Sequence, residues 1–364
     1  MKFSICIPNY NYERYLGRTI QSVRDQAGLE YEILVSDNAS TDRSVEIVRG
    51  FADPRIRLHV NRCNVGFAAN LDRAAHLADG DWMLMLSSDD LMRPAALATY
   101  RSLFDRLGPV AEKAIFTSAM DVIDAEDRTI GRVGLPRNDV WRETDRAGEL
   151  DEAAGAPVYR VSARELLRRS LVTMQNPFQF AATVYPRKLY EAVEGYGGSR
   201  QMNPDKWFHW KLLSRADAAY FVDRPLFAYR WHASNQTAQQ TGSGALKFLV
   251  DEYASTYEID ANILKELDLT RAEIERAFVE YDIGRHGLAE LARGRRAQAR
   301  RIHSFGRAAY PRHSRRNRKT WILGILLNIG PCGQWIARTA YRRMTRSARA
   351  DTANAWELNG SYPT

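Results

Sequence analysis

Short apolar runs alternate with segments of helical period along the first hundred residues. Phe3–Ile7 ("FSICI") reads as a strand, ended by Pro8 and the polar "NYNY". In "ERYLGRTIQSVRDQ", residues Tyr15, Leu16, Thr19, Ile20 and Val23 fall near one face of a helix. "YEILVSD" predicts a second strand, and "STDRSVEIVRGF" a second helix with Ser40 or Thr41 as its N-cap. "RIRLHV", "FAANLDRAAHLA" and "WMLML" predict a third strand, a third helix and a fourth strand. This alternation is the pattern of an α/β fold with a mostly parallel sheet covered on both faces. In such sheets ligands bind beyond the carboxyl ends of the strands. The polar clusters "PNYN", "SDNASTD", "NRCNVGF" and "SSDD" each fall at such an end.

From about Ala111 the pattern is less regular. "KAIFTSAMDVID" and "AATVYPRKLY" predict further strands with turns, and "YFVDRPLFAYRWH" a closing strand. "SARELLRRSL" opens on a capping box of Ser162 and Glu165, and "NPDKWFHWKLLSR" is a helix with its acid in the first turn. Beyond Ser234 the chain turns polar and then helical, with a second capping box at Thr270 and Glu273. Between Arg293 and Arg346 there are 15 Lys or Arg and no Asp or Glu. Inside that segment lies the apolar "WILGILLNIGPCGQWIA", Trp321 to Ala337.

The chain has 364 residues, a net charge of +8 and a pI of about 9.4, which suits an anionic partner. Cys6, Cys63 and Cys332 stand far apart, which points to a reducing compartment and away from a disulfide framework or a zinc site. "MKFSICIPNY" holds too short an apolar run for a signal peptide, and no transmembrane helix is expected.

Asp89 and Asp90 follow the fourth strand directly. One reading is helix capping; the other is a hard divalent cation, Mn²⁺ or Mg²⁺, which favours carboxylate oxygens and leaves positions for substrate phosphates. Asp37 is either the pivot of an Asx-turn or an acceptor for a nucleobase or ribose donor. Asn64, Gly66 and Asn70 mark a turn before a helix or a close approach to a ligand. Neither a GxGxxG nor a Walker A motif is present.

Taken together, "SICIPNYNYERYLGRTIQSVRDQ", "ILVSDNASTDRSVEIV" and "NVGFAANLDRAAHLADGDWMLMLSSDD" resemble the inverting family 2 glycosyltransferases. The resemblance is strong over residues 1 to 97, thinner to 236 and absent from the last third. It implies a GT-A type fold, a mostly parallel sheet flanked by helices, here with a helical basic C-terminal extension. It implies a transferase domain over 1–235, with a nucleotide-binding half (1–97) and an acceptor-side half (98–235). A helical segment (236–292), a basic amphipathic segment (293–346) and a tail (347–364) would follow. By position it implies that Pro8, Tyr10, Asp37, Asn64, Gly66, Asn70, Ser88 and Arg230 bind the nucleotide. Asp89, Asp90 and His232 would hold the metal. "MNPDKWFHWKLL" resembles the family's acidic acceptor-side motif, with Asp205 as catalytic base; "YRWHASNQT" resembles its last segment, which borders the diphosphate. Ser87, Ser36 and Pro204 stand where acids are usual. A lone first-turn acid such as Asp205 also suits a helix dipole, and a lone histidine such as His232 is often structural.

The implied reaction is inverting transfer from a nucleotide-diphosphate sugar, a UDP-sugar ahead of others, to a glycan or polyprenyl-linked hydroxyl in envelope, capsule or O-antigen synthesis. The basic segment predicts association with an anionic membrane surface, the alternative being a helix packed on the core with a charged outer face. That places the protein in the cytoplasm, peripheral on the inner face of the cytoplasmic membrane. No nucleic-acid module is present, so no nucleic-acid partner is expected. A non-catalytic nucleotide- or glycan-binding module and a sugar-1-phosphate nucleotidyltransferase are the rival readings.

Overall fold

The structure is a computed structural model that describes residues 1–135, 140–197, 204–232 and 245–351, with no side-chain description for 245–248 and 344–351. Two compact units result. The first comprises Met1–Leu167 and Asn176–His232, and the second comprises Arg168–Gln175 and the described residues of the C-terminal part. The expected division at residue 235 and most of the expected tail lie outside the described residues.

The first unit is built on a sheet of ten described strands. Strands β1 (Lys2–Asn9), β2 (Glu30–Asp37), β3 (Ile56–Val60) and β4 (Trp82–Met85) are all parallel, in the order β3-β2-β1-β4. Helices α1 (Glu13–Arg24), α2 (Ser44–Gly50) and α3 (Phe67–His76) make the crossovers. The five apolar and threonine positions of α1 singled out by spacing are the five it buries. β1 and β2 are buried along nearly their whole length, as a strand covered on both faces must be.

Beyond β4 the sheet departs from the mostly parallel expectation. After β5 (Leu91–Met92) and α4 (Ala96–Leu107) come β6 (Ala114–Ile123), β7 (Thr129–Val133), α5 (Asp151–Ala154), β8 (Val158–Ser162) and α6 (Ala163–Thr173). Then follow β9 (Val184–Pro186), α7 (Arg187–Ala192), α8 (Pro204–Leu213) and β10 (Ala218–Arg230). β6 and β10 pair in parallel, but β9 runs antiparallel to both β4 and β6, and β5, β7 and β8 are antiparallel additions. The predicted strand "AATVYPRKLY" is extended only over β9, and its second half is α7. Trp82 stacks on Phe104, and Phe116 meets both rings edge-on, within the core of this unit.

One expected helix start also differs. α2 begins at Ser44, so Ser40 and Thr41 do not cap it; Ser40 is drawn into the loop before it, and the Ser44 N–H is met by Asp42. The capping box of Thr270 and Glu273 is present as expected.

The second unit is helical. Leu291 and Ala292, from the expected helical segment, share one core with Ala299, Leu323, Leu326, Leu327 and Ala337 from the expected basic segment. Those leucines recur on one side of the helix Arg318–Asn328, and burying that side is what fastens the basic segment. No helix of the described residues is long and apolar enough to cross a membrane.

Candidate active site

The strand order places β2 and β3 on one side of β1 and β4 on the other, which opens a crevice at the carboxyl ends between β1 and β4. In register, Asn9 at the end of β1 lies beside Asp37 at the end of β2. Asp37 is buried, and both its oxygens are engaged. Oδ1 accepts the Ser40 backbone N–H at 2.8 Å; Oδ2 accepts the Ser40 hydroxyl at 2.7 Å and the Asn9 amide at 2.7 Å. The local reading of Asp37 as a turn pivot is thus realised in the geometry. Asn9 Oδ1 is buried with no hydrogen-bond donor among the described residues, a condition that asks for a donor from ligand or water. Pro8 is buried beneath this loop, and Tyr10 is exposed beside it.

The loop after β3 is tied to the loop after β2 by side-chain amides. Asn38 donates to Asn64 Oδ1 at 2.9 Å, and its own Oδ1 accepts from Val65 N–H and from Asn61. Asn64 Oδ1 also accepts the Gly66 N–H at 2.9 Å, and Gly66 leads into α3 at φ 89°, a conformation that favours glycine. Asn70 accepts from the Ser36 hydroxyl at 2.8 Å and donates to the Ser36 carbonyl at 2.9 Å. Asn70 is therefore a buried strut that holds Ser36.

"SSDD" is a tight turn, closed by the Asp90 N–H on the Ser87 carbonyl at 3.1 Å. Thr19 of α1 donates to the carbonyls of Ser88 and Asp90 at 3.0 and 2.9 Å. β5 follows at once and pairs with β10, and that pairing carries the end of β10 to the turn. Asp90 Oδ1 accepts the Arg230 N–H at 2.8 Å, and the Arg230 guanidinium donates to the Asp89 carbonyl at 2.7 Å. His232 Nε2 meets Asp89 Oδ2 at 2.9 Å, and its ring packs on Tyr15. Burial, then the charge of Asp89, push the Asp90 carboxyl well above the usual range, against the bonds from Arg230 and Ser87.

Arg230 departs from the expectation that it borders the diphosphate. It is fully buried, with its guanidinium on the Asp124 carbonyl, paired with Asp127 and stacked over Tyr15. A group with no accessible surface cannot touch a ligand without leaving these partners, so Arg230 acts as a clamp on the turn.

Asp205 lies in the first turn of α8 and is half-buried. Desolvation raises its pKa, outweighing the bonds from first-turn amides and from Asn176, whose Nδ2 donates to Oδ2 at 3.1 Å. The Asn176 amide is oriented by its neighbours: Oδ1 accepts the Phe178 N–H at 3.2 Å and meets His209 Nδ1 at 2.8 Å. Burial pushes His209 down to about 3, so it is neutral and its Nδ1–H is the donor. The structure thus gathers Asp89, Asp90, Arg230 and His232 at one turn, with Ser88 in it. Asp37 sits with Asn9; Asn64, Gly66 and Asn70 share a network; Asp205 belongs to a separate group.

Sequence reasoning missed Asn9, Asn38, Asn61, Asn176 and His209. The first three lie in the polar clusters at strand ends, which was their only signal. Asn176 and His209 gave none, because their role is a contact made across 29 and 33 positions.

The sequence model of Glycosyl transferase family 2 matches residues 4–165. Abequosyltransferase RfbV of Salmonella typhimurium is 34% identical over 110 residues, 29% of this chain and 33% of that one. Succinoglycan biosynthesis protein ExoO of Rhizobium meliloti is 31% identical over 121 residues, 33% of this chain and 34% of that one. The chain thus spans about a third of the length of these relatives. The crystal structure of Staphylococcus aureus TarS 1-349 in complex with UDP-GlcNAc superposes with a TM-score of 0.59 at 17% identity, over 94% of this chain and 92% of that one. The chain therefore has the α/β fold of the GT-A type, and within it residues 4–165 match glycosyl transferase family 2.

Proposed function

We propose that the protein is an inverting, metal-dependent glycosyltransferase. It moves a sugar from a nucleotide-diphosphate sugar, a UDP-sugar ahead of others, to a hydroxyl of a glycan or polyprenyl-linked acceptor in envelope, capsule or O-antigen polysaccharide synthesis. The observation that carries this reading is the meeting of Asp89 and His232 at 2.9 Å, from 143 positions apart, just beyond the carboxyl end of β4 in a chain of this fold. The named relatives support the polysaccharide class, and the UDP-GlcNAc bound by TarS supports the donor class.

Among the described residues no three His, Cys, Asp or Glu stand together as a metal cluster. One carboxylate and one imidazole nevertheless suit Mn²⁺ or Mg²⁺, which commonly take one or two protein ligands and complete their shell with phosphates and water. Asp89 and His232 would hold the cation, with Asp90 behind them. Bound there, it would neutralise charge on the departing diphosphate.

Asp205 is the base of this scheme. It accepts the acceptor hydroxyl proton as that oxygen bonds to the anomeric carbon; the bond from that carbon to the diphosphate oxygen breaks, and the configuration inverts. A raised pKa improves a carboxylate base near neutral pH. The Asn9–Asp37 pair and the asparagine network would line the base and ribose end, where Asn9 Oδ1 lacks a donor. Asp205→Asn is expected to lower kcat by roughly 10²–10⁴-fold while donor affinity, read by calorimetry with UDP-sugars, stays within about twofold. Normal turnover in that variant rejects Asp205 as base. Chelation should stop transfer and Mn²⁺ or Mg²⁺ restore it; full activity in excess chelator removes the metal from the scheme.

A further inference from the structure

The basic C-terminal segment divides its apolar residues between two environments. In the helix Arg318–Asn328, Leu323, Leu326 and Leu327 are buried in the core of the second unit. Trp321, Ile322, Ile325 and Ile329 are exposed. At about 100° per residue these four fall on one arc, opposite the buried leucines. The next helix, Pro331–Asp351, adds exposed Trp335 and Ile336. Trp321 is 64% exposed and Trp335 68%, more than any other large apolar side chain of the described residues. The two helices are locked together, since a Cβ at Gly333 would overlap the backbone carbonyl of Leu326. The apolar face is therefore presented by a fixed hairpin rather than by a frayed end.

We propose that this hairpin docks on an anionic bilayer. Its indoles would sit at headgroup level, its isoleucines just below, and its arginines on the lipid phosphates. Charge selects this occupant. Arg312, Arg315, Arg316, Arg318 and Arg338, which flank the apolar residues along the chain, are exposed, and the segment from Arg293 to Arg346 contains no acid of its own. A twofold dimer through the same face would set arginine against arginine, because the acids the fold brings to this segment, Glu275, Glu280 and Glu290, already face His313, Lys319, Arg293 and Arg295. An anionic surface meets both features at once: it covers the apolar arc and neutralises the rim. The hairpin lies on such a surface and does not cross it, because no described helix is long and apolar enough. This inference is independent of the reading of the chain as a transferase.

Vesicle flotation of the full chain tests it. Vesicles of phosphatidylglycerol and phosphatidylcholine should carry the protein up the gradient, and vesicles of phosphatidylcholine alone should carry little. Trp321→Ser with Trp335→Ser should lower the bound fraction by about tenfold or more, with an unchanged circular dichroism melt. Arg315→Gln with Arg316→Gln should weaken binding by roughly five-fold per arginine at low salt, and by less at high salt. Absence of flotation with the anionic vesicles overturns the proposal, as does equal flotation of the double tryptophan variant. A concentration-dependent dimer in sedimentation that the same variant abolishes, without vesicle binding, assigns the face to a second copy and also overturns it.

Discussion

The loop after β2 and the turn after β4 carry the same sequence signal, acids directly beyond a buried parallel strand. They use it differently. Asp37 is satisfied within its own neighbourhood by Ser40, three positions on, and by its strand partner Asn9. Asp89 is met by His232 from the far end of the first unit, and Asp90 by the backbone of Arg230. The first acid organises a loop, whereas the second pair gathers groups that are distant in sequence. Placement of an acid at a strand end thus marks the edge of the crevice without fixing what the acid does there.

Substitution separates the two. Asp89→Asn should have the largest effect on turnover, lowering kcat by roughly 10²–10³-fold, since a bound cation stabilises transition-state charge by several kcal/mol. Its thermal midpoint should stay close to that of the parent, because the Asp89 backbone carbonyl still receives Arg230. A variant that loses its fold along with its activity would erase the contrast with Asp37. Asp37→Ala should do the reverse, costing about 2–4 kcal/mol in denaturant melts by leaving the Asn9 amide and the Ser40 donors without their acceptor. A stable Asp37→Ala protein with impaired nucleotide binding would restore a ligand role to that carboxylate.

The smallest effect concerns pH. The Asn176 amide favours the charged form of Asp205 by hydrogen bonding, while burial opposes it. If Asp205 is the base, as proposed, it must be deprotonated, so activity should fall as pH drops through its pKa, and that limb should lie above the ordinary aspartate value of about 3.9. Asn176→Ala removes a bond to the carboxylate, so the acidic limb of kcat/KM should move to higher pH, with a several-fold loss at neutral pH. An unshifted limb would reduce Asn176 to a packing residue.

Much of the first unit was legible in the chain. The apolar period of two and of three to four marks β1 through β4 and α1 through α3, because these elements bury one stripe or both faces against their immediate neighbours. Tight turns with polar ends also read directly, so the rim of the crevice could be drawn from the sequence. The mixed second half of the sheet could not, since β5, β8 and β9 are two to five residues long and take their direction from distant partners.

The sequence by itself determined the strand–helix alternation, the four strand-end loops, and the acid-free basic segment, all of which rest on local spacing and composition. Only the tertiary structure decided that Arg230 is a buried clamp, that Asn176 and His209 stand behind Asp205, and which apolar residues of Trp321–Ala337 are left outside. Those outcomes depend on desolvation and on contacts between residues remote in the chain. Burial decides whether a charged group meets a ligand or the protein's own backbone, and burial is a property of the folded whole.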